Sequence, residues 1–274
     1  MQTRHDLVRE LIDKLIRHES YLSYSAISNF KESPKSFIDY KLKTKEPTDA
    51  MVFGTLVHCL ILEPDLFEQR YFVIDDAEQI AIIGGAKPRA TNAYKEWFKV
   101  ESSKAEGRII VEPADYTAAK IMAMTVRTNR AAAMQLKKVT EKEKSIEWEL
   151  KNFKFRGIID GDGEIVIDLK TCADASPRKF QRSIVEMDYH IQAALYLKGL
   201  GEVKPYYIIA VDKSGGVSVH LLSETLIEHA FKEIDFLLDK FNECIINETF
   251  DNSFDFWSER YDGSFLADKP AYLY

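Results

Sequence analysis

A carboxylate and a lysine two residues apart on a strand can serve phosphoryl chemistry. The carboxylate can hold a divalent cation, and the lysine can bring positive charge to a phosphate or a water. Asp168 and Lys170 have this spacing in the segment Glu164–Lys170. Side chains alternate along a strand, so Glu164, Val166, Asp168 and Lys170 share one face. Ile165, Ile167 and Leu169 take the other face and suit a core. A charge on such a strand is costly unless it is paired or bound to metal. An isolated D-x-K pair is most simply a salt-bridged strand end, but three further features accompany this one. Gly157-Ile158-Ile159-Asp160 supplies a carboxylate just upstream. Gln192 and Tyr196 stand at i and i+4, on one face of the helix that follows. Gly54-Thr55-Leu56-Val57-His58 sets a histidine on an otherwise apolar helix. Glu143 and Glu147 are reserve acidic candidates, more simply explained as solvated strand charge.

The elements that must position these residues follow from periodicity. Helical patterns cover 5–17, a short stretch after Ser23 and Ser25, Ser33-Pro34 to Tyr40, and about Ala50 to Leu62. A short strand is expected at 71–75, a loop at Gly84–Arg89, and helices at 91–104 and 113–136. Ser145–Leu150, Phe153–Asp160 and Glu164–Lys170 then alternate with period two, separated by Lys151-Asn152 and Gly161-Asp162-Gly163. This predicts a three-strand antiparallel meander. Two helices, a strand pair at Pro205–Asp212 and Val217–Leu222, a helix over 223–246 and an aromatic tail complete the chain. No linker divides it, so one domain over 1–274 is expected, with a helical N-terminal part.

Composition bounds the function. The chain has 274 residues, 46% apolar and 30% charged, which excludes global disorder. Three widely spaced cysteines, Cys59, Cys172 and Cys244, exclude a four-cysteine zinc or iron–sulfur site and argue against a disulfide scaffold. No apolar run approaches membrane-spanning length and no secretory leader opens the chain, so a cytoplasmic protein with no membrane association is expected. The net charge of −7 argues against coating nucleic acid by bulk charge, but leaves room for a local basic groove. Candidates for such a groove are Lys137, Lys138, Lys142, Lys144, Lys151, Lys154 and Arg156, then Arg178, Lys179 and Arg182, and Lys87-Pro88-Arg89 in its glycine-rich loop.

Taken in order, G-x-x-x-H at 54–58, G-x-x-D at 157–160, D-x-K at 168–170 and Q-x-x-x-Y at 192–196 resemble the RecB-like branch of the PD-(D/E)XK nuclease superfamily. Ser23-x-Ser25, Phe30, Ser33-Pro34, Leu62-Glu63-Pro64-Asp65-x-Phe67 and Tyr189-His190 narrow the likeness to RecE-type exonucleases (exodeoxyribonuclease VIII), over about residues 21–200. The resemblance implies an α/β fold, with a mixed sheet of about five strands flanked by helices and a metal site at one edge. It implies that His58, Asp160, Asp168 and the backbone carbonyl of Leu169 bind Mg²⁺, with Mn²⁺ as a substitute. Lys170 would orient or activate water and stabilise charge on the phosphate. Gln192 and Tyr196 would support the site and contact DNA, with Arg178, Lys179 and Tyr189 as further contacts.

The implied activity is metal-assisted hydrolysis of linear double-stranded DNA from its ends, 5′→3′, exposing single strand for recombination. The implied partners are DNA ends, a single-strand annealing protein and further copies of the chain in a ring. The alternatives are a RecB-like endonuclease or repair nuclease with the same site, and a non-catalytic DNA-binding or scaffold protein. One expectation is in tension with the rest. A regular hairpin turning at Gly161–Gly163 would pair Asp160 with Glu164 and leave it roughly 13 Å from Asp168 along the strand. A bend or bulge at the glycines is expected to close that gap.

Overall fold

Polar caps start most of the helices. In this computed structural model, which describes residues 3–43, 46–260 and 262–265, Thr3 and Asp6 form a reciprocal capping box on α1 (Arg4–Ile16). Ser23 caps α2 (Tyr24–Glu32), and Ser33, followed by Pro34, caps α3 (Pro34–Leu42). Thr48 caps α4 (Asp49–Leu62), and a 3₁₀ turn at Pro64–Leu66 leads into α5 (Phe67–Arg70). The strand β1 (Tyr71–Val73) follows, then α6 (Ala77–Ile83), which periodicity did not predict, and a 3₁₀ turn at Pro88–Ala90 within the expected loop region. After α7 (Asn92–Ser103), β2 (Ile109–Val111) pairs in parallel with β1.

The helix expected at 113–136 is two: α8 (Pro113–Thr128) and α9 (Arg130–Leu136). Asn129 between them is extended, at φ −66° and ψ 125°, and its Oδ1 accepts the Ala132 N–H at 3.0 Å. One asparagine both ends a helix and caps the next.

The meander then forms from β3 (Val139–Leu150), β4 (Phe153–Gly163) and β5 (Val166–Cys172). Lys151 and Asn152 take φ +47° and +67°, the left-handed pair a two-residue hairpin requires. The helices α10 (Pro177–Glu186) and α11 (Tyr189–Leu200) carry the chain across to β6 (Tyr206–Asp212). The antiparallel edge strand β7 (Val217–Leu221) and α12 (Glu224–Asn247) follow. The sheet order is β3-β4-β5-β6-β7, with β5 and β6 parallel and the other pairs antiparallel. This is the expected five-stranded mixed sheet flanked by helices.

Alternation splits the central strands between two cores. Ile167 and Leu169 of β5, with Ile209 and Val211 of β6, pack against α4 and α8. Val166, Ile208 and Ala210 face the opposite side, with Phe180 and Ile184 of α10 and Ala193 and Leu197 of α11. A third cluster joins α1, α2, α3 and α12 to Phe153 and Phe155 of β4. From the aromatic tail, Phe256 and Trp257 pack on Phe30, whereas Phe254 and Phe265 are exposed. Tyr261, Tyr272 and Tyr274 lie outside the described residues.

The hairpin register corrects the sequence expectation. Gly161-Asp162-Gly163 is not a loop but the end of β4, with Gly161 opposite Ile167 and Asp162 opposite Val166. The chain reverses through Glu164 and Ile165 instead. The β4–β5 ladder ends there, and Asp160, next along β4, accepts the Leu169 backbone N–H through its side chain, so a register shifted by four residues from the expected one brings it beside Asp168. The glycines permit close approach rather than a turn. A Cβ on Gly161 would lie 2.6 Å from Ile167 Cγ1, and one on Gly163 only 2.1 Å from the Lys138 carbonyl oxygen. Asp162, buried between them, is held by Lys144 at 2.7 Å and Lys204 at 2.5 Å.

Gly163→Ala should therefore force backbone apart at the end of the meander. The expected cost is about 1–3 kcal/mol, as for overpacked sites, read as a lower denaturant midpoint. An unchanged midpoint would mean that the close approach at Gly163 is not a constraint.

Candidate active site

Five elements, α4, β3, β4, β5 and α11, converge at the edge of the β4–β5 pairing. The helix α4 brings His58, one turn after Gly54. A Cβ on Gly54 would sit 3.3 Å from Thr171 Oγ1, so the glycine lets α4 lie close to the end of β5. His58 Nδ1 lies 3.6 Å from Asp160 Oδ1. The other Asp160 oxygen, Oδ2, accepts the Leu169 backbone N–H at 2.6 Å. Thus Leu169 meets Asp160 through its amide, between Asp168 and Lys170.

Glu143 completes the first group. Ligand atoms of His58, Glu143 and Asp160 all lie within 4.8 Å of one another. Sequence reasoning kept Glu143 only in reserve, and no motif spacing marks it. The β3–β4 ladder pairs Lys142 with Gly161 and Lys144 with Ile159, with no Glu143/Asp160 pair between them, and Glu143 takes φ +47°. That local irregularity accompanies its approach to Asp160. Glu147 is engaged elsewhere, accepting the Tyr21 hydroxyl at 3.0 Å.

Asp168 and Lys170 form a second knot with Gln192. Lys170 Nζ lies 2.7 Å from Asp168 Oδ2 and donates to Gln192 Oε1 at 2.9 Å. Gln192 Nε2 donates to Asp168 Oδ1 at 3.1 Å and approaches the Tyr196 hydroxyl at 3.4 Å. The Tyr189 ring lies 4.7 Å from Lys170 Nζ. Tyr189 therefore lies against the lysine. Gly157 gives Tyr196 its room, since a Cβ there would fall 2.5 Å from Tyr196 Cε1. The start of α11 is itself clamped. Lys31 of α2 binds Asp188 at 2.7 Å and Glu233 of α12 at 2.6 Å, and buried His190 lies 3.5 Å from Glu233. Tyr24 of α2 adds a hydrogen bond to the Met187 carbonyl.

Burial and charge compete in every titrating group of the site. Burial pushes Asp168 up to about 6, outweighing the neighbouring Lys170 ammonium. Asp160 is pushed up by burial too, but His58, Lys170 and the Leu169 N–H together hold it below the usual carboxylate range. Burial lowers Lys170 and His58, yet the two aspartates reverse this for both, and each ends above its ordinary value. Burial raises Glu143, with Asp160 adding to the effect and His58 and Arg70 opposing it.

The other basic candidates lie at the surface or in ion pairs. Arg178 is exposed, and Lys179 pairs with Asp174 at 2.5 Å. Arg89 is taken up by Asp76 and Glu112, both at 2.9 Å, which corrects the expectation that it reaches DNA.

The donor set fits a divalent cation. It offers one imidazole and two carboxylates in mutual reach. Nearby, the buried Asp168 Oδ2 makes no hydrogen bond beyond its ion pair with Lys170. Imidazole nitrogen and carboxylate oxygens are ligand types that hold divalent cations.

This arrangement has relatives. Residues 23–253 match the family DUF3799, described as a PDDEXK-like domain of unknown function. The chain belongs to that family. The fold of this PDDEXK-like domain is also similar to the crystal structure of a "putative exonuclease" from Eubacterium rectale. The TM-score is 0.57 at 14% identity, covering 93% of this chain and 91% of that one. A second solved structure, also 14% identical, covers 67% of this chain and 85% of that one, but its TM-score of 0.26 carries no argument. No curated protein matches the sequence. Among the described residues no helix is long and apolar enough to cross a membrane.

The Gly157–Tyr196 contact is testable alone. Gly157→Ala should destabilise the PDDEXK-like domain by about 1–3 kcal/mol through overpacking. In a Tyr196→Ala background the same change should cost almost nothing, because the colliding ring is gone. Additive effects of the two substitutions would refute the contact.

Proposed function

We propose that this protein is a metal-dependent DNA nuclease of the RecE type, hydrolysing phosphodiester bonds of linear duplex DNA with Mg²⁺. The observation that carries this reading is the meeting of two groups from remote parts of the chain. His58, Glu143 and Asp160 gather on one side of the Leu169 amide, and Asp168, Lys170 and Gln192 interlock on the other. Membership in a PDDEXK-like family supports the same chemistry. Digestion from an end, 5′→3′ polarity, a ring of several copies, a single-strand annealing partner and a cytoplasmic setting belong to the proposal through the likeness of the motifs to RecE-type exonucleases.

His58, Glu143, Asp160 and Asp168 would hold the divalent ion. The ion would supply positive charge for the phosphate and make water more acidic. The chain's own residues do the rest. Lys170 keeps its proton at neutral pH, since the aspartates hold its pKa above the ordinary lysine value. As an ammonium it stabilises the phosphate as negative charge builds up, and in the role the resemblance implies it would also orient the attacking water. Asp168, the Gln192 carboxamide oxygen and the Tyr189 ring fix where that charge sits. Gln192 also orients Asp168 through its amide N–H.

The decisive experiment is digestion of linear and covalently closed duplex, with Mg²⁺ or EDTA. Linear DNA should be degraded with Mg²⁺ only, and closed circles should resist. Asp168→Asn should abolish cleavage while leaving the circular dichroism spectrum unchanged. Nicking of closed circles would favour the endonuclease alternative, and inertness toward both substrates with Mg²⁺ and Mn²⁺ would sink the proposal.

A second outcome follows from the raised Asp168 pKa. The buried carboxyl keeps its proton up to about pH 6, and only the carboxylate binds a cation. At limiting Mg²⁺, activity should climb between about pH 5 and 7. Saturating Mg²⁺ draws the proton off and should move this limb to lower pH. A limb that stays fixed at all Mg²⁺ concentrations would contradict the role given to Asp168.

A further inference from the structure

A cleft of about 590 Å³ opens beside Glu143, lined among others by Thr55, Arg70, Gly107, Arg108 and Ile158. It is continuous with the site, because Glu143 belongs to both. Its composition differs from an ordinary surface groove in one respect. Arg108 has no carboxylate partner among the described residues. Its guanidinium is pinned by three backbone carbonyls instead. Nε donates to Ala105 at 2.8 Å, Nη2 to Lys104 at 2.9 Å and Nη1 to Glu68 at 3.3 Å. The group also lies 5.0 Å from the Phe72 ring centroid. Three of the five N–H donors of an arginine are then used and two are left for a ligand. A fixed guanidinium keeps its full charge and loses little further freedom on binding. Beside it Ile158 stands 54% exposed in mid-strand, whereas its neighbour Ile159 is fully buried.

We propose that this cleft carries one strand of nucleic acid to the site, with Arg108 holding a backbone phosphate outside the reacting bond and Ile158 packing against a sugar or base. The proposal rests on the nuclease reading and adds a path and a contact residue to it. A polyanion with apolar faces between its charges suits Arg108, which has no carboxylate partner among the described residues whereas Arg70 of the same cleft pairs with Glu63 at 2.6 Å, next to an exposed aliphatic side chain. An acidic peptide would leave Ile158 without a partner of matching period. The bland alternative is that Arg108 only closes the turn after α7, whose Lys104 and Ala105 carbonyls it binds.

Binding of a fluorescent linear duplex, measured by anisotropy in EDTA across a salt series, separates these. EDTA prevents hydrolysis, so the readout is binding alone. Arg108→Gln should weaken binding on the order of tenfold, as for a lost charged hydrogen bond, and reduce the magnitude of the slope of log affinity against log salt by about 0.7–0.9. Arg108→Lys keeps the charge and should retain the slope. Ile158→Ser, at a position more than half exposed, should weaken binding with the slope and the melting temperature unchanged. A purely structural role would lower the melting temperature of Arg108→Gln and leave the slope as in wild type, which would overturn the proposal. Wild-type affinity in both Arg108→Gln and Ile158→Ser would do so as well. A wild-type protein that binds no DNA at low salt would overturn both this proposal and the nuclease reading; binding by wild type with an unchanged slope in Arg108→Gln overturns this one alone.

Discussion

The ion pair of Asp168 and Lys170 lies almost wholly inside the protein, and the architecture around it is what makes that tolerable. Two charges removed from water cost several kcal/mol each unless geometry and added hydrogen bonds compensate. Here the compensation comes from separate elements. Gln192 bridges both partners from α11. The Tyr189 ring meets the ammonium, and Asp160 adds a second negative charge from β4. Even so, burial prevails at Asp168, whose proton is held far more tightly than an exposed aspartate would hold it. A carboxylate left underpaid in this way is poised to gain from a cation. Replacing the pair by apolar residues would stabilise many folds, so its presence in a core strand points to chemistry.

Much of this was legible in the sequence where local periodicity governs. Alternation placed Ile167 and Leu169 in one core and Val166 in the other, with Asp168 and Lys170 on a common face. The spacing of Gln192 and Tyr196 put both on one side of α11, and the caps at Ser23 and Ser33 marked their helices. The hairpin register was not legible. Two glycines around an aspartate have the composition of a turn, and only the close approach of Ile167 and the Lys138 carbonyl explains why glycine is needed inside the ladder. Glu143 was equally hidden, because its approach depends on a backbone irregularity that has no composition signal. Asn129 looked like one more residue in a long helical pattern, although its side chain competes with the backbone and breaks the helix. In each case the missing information lay in contacts across the sheet or between helices, which one-dimensional spacing does not encode.

The site is also held from behind. The start of α11, where Tyr189 and Gln192 sit, follows Asp188 in a left-handed conformation at φ +56°. A non-glycine residue pays for that backbone unless its surroundings fix it. Lys31 from α2 and Glu233 from α12 supply the fixing, and Ser28 contributes a hydrogen bond to Asp188 at 3.1 Å. The helices α2 and α12 thus act on the site by fixing where α11 begins.

The dispersal of His58, Glu143, Asp160 and Gln192 over α4, β3, β4 and α11 has a consequence in time. Contacts between segments so distant along the chain form late, because closing the intervening loops is costly before the sheet rewards it. During synthesis His58 leaves the ribosome well before the carboxylates it meets, and α12, which braces α11, comes after all of them. A nascent or half-folded chain therefore has the donor atoms but not their convergence. A chain without α12 lacks Glu233, which helps to fix Lys31 and the start of α11, so the topology that builds the site also makes its geometry depend on a segment synthesised after it.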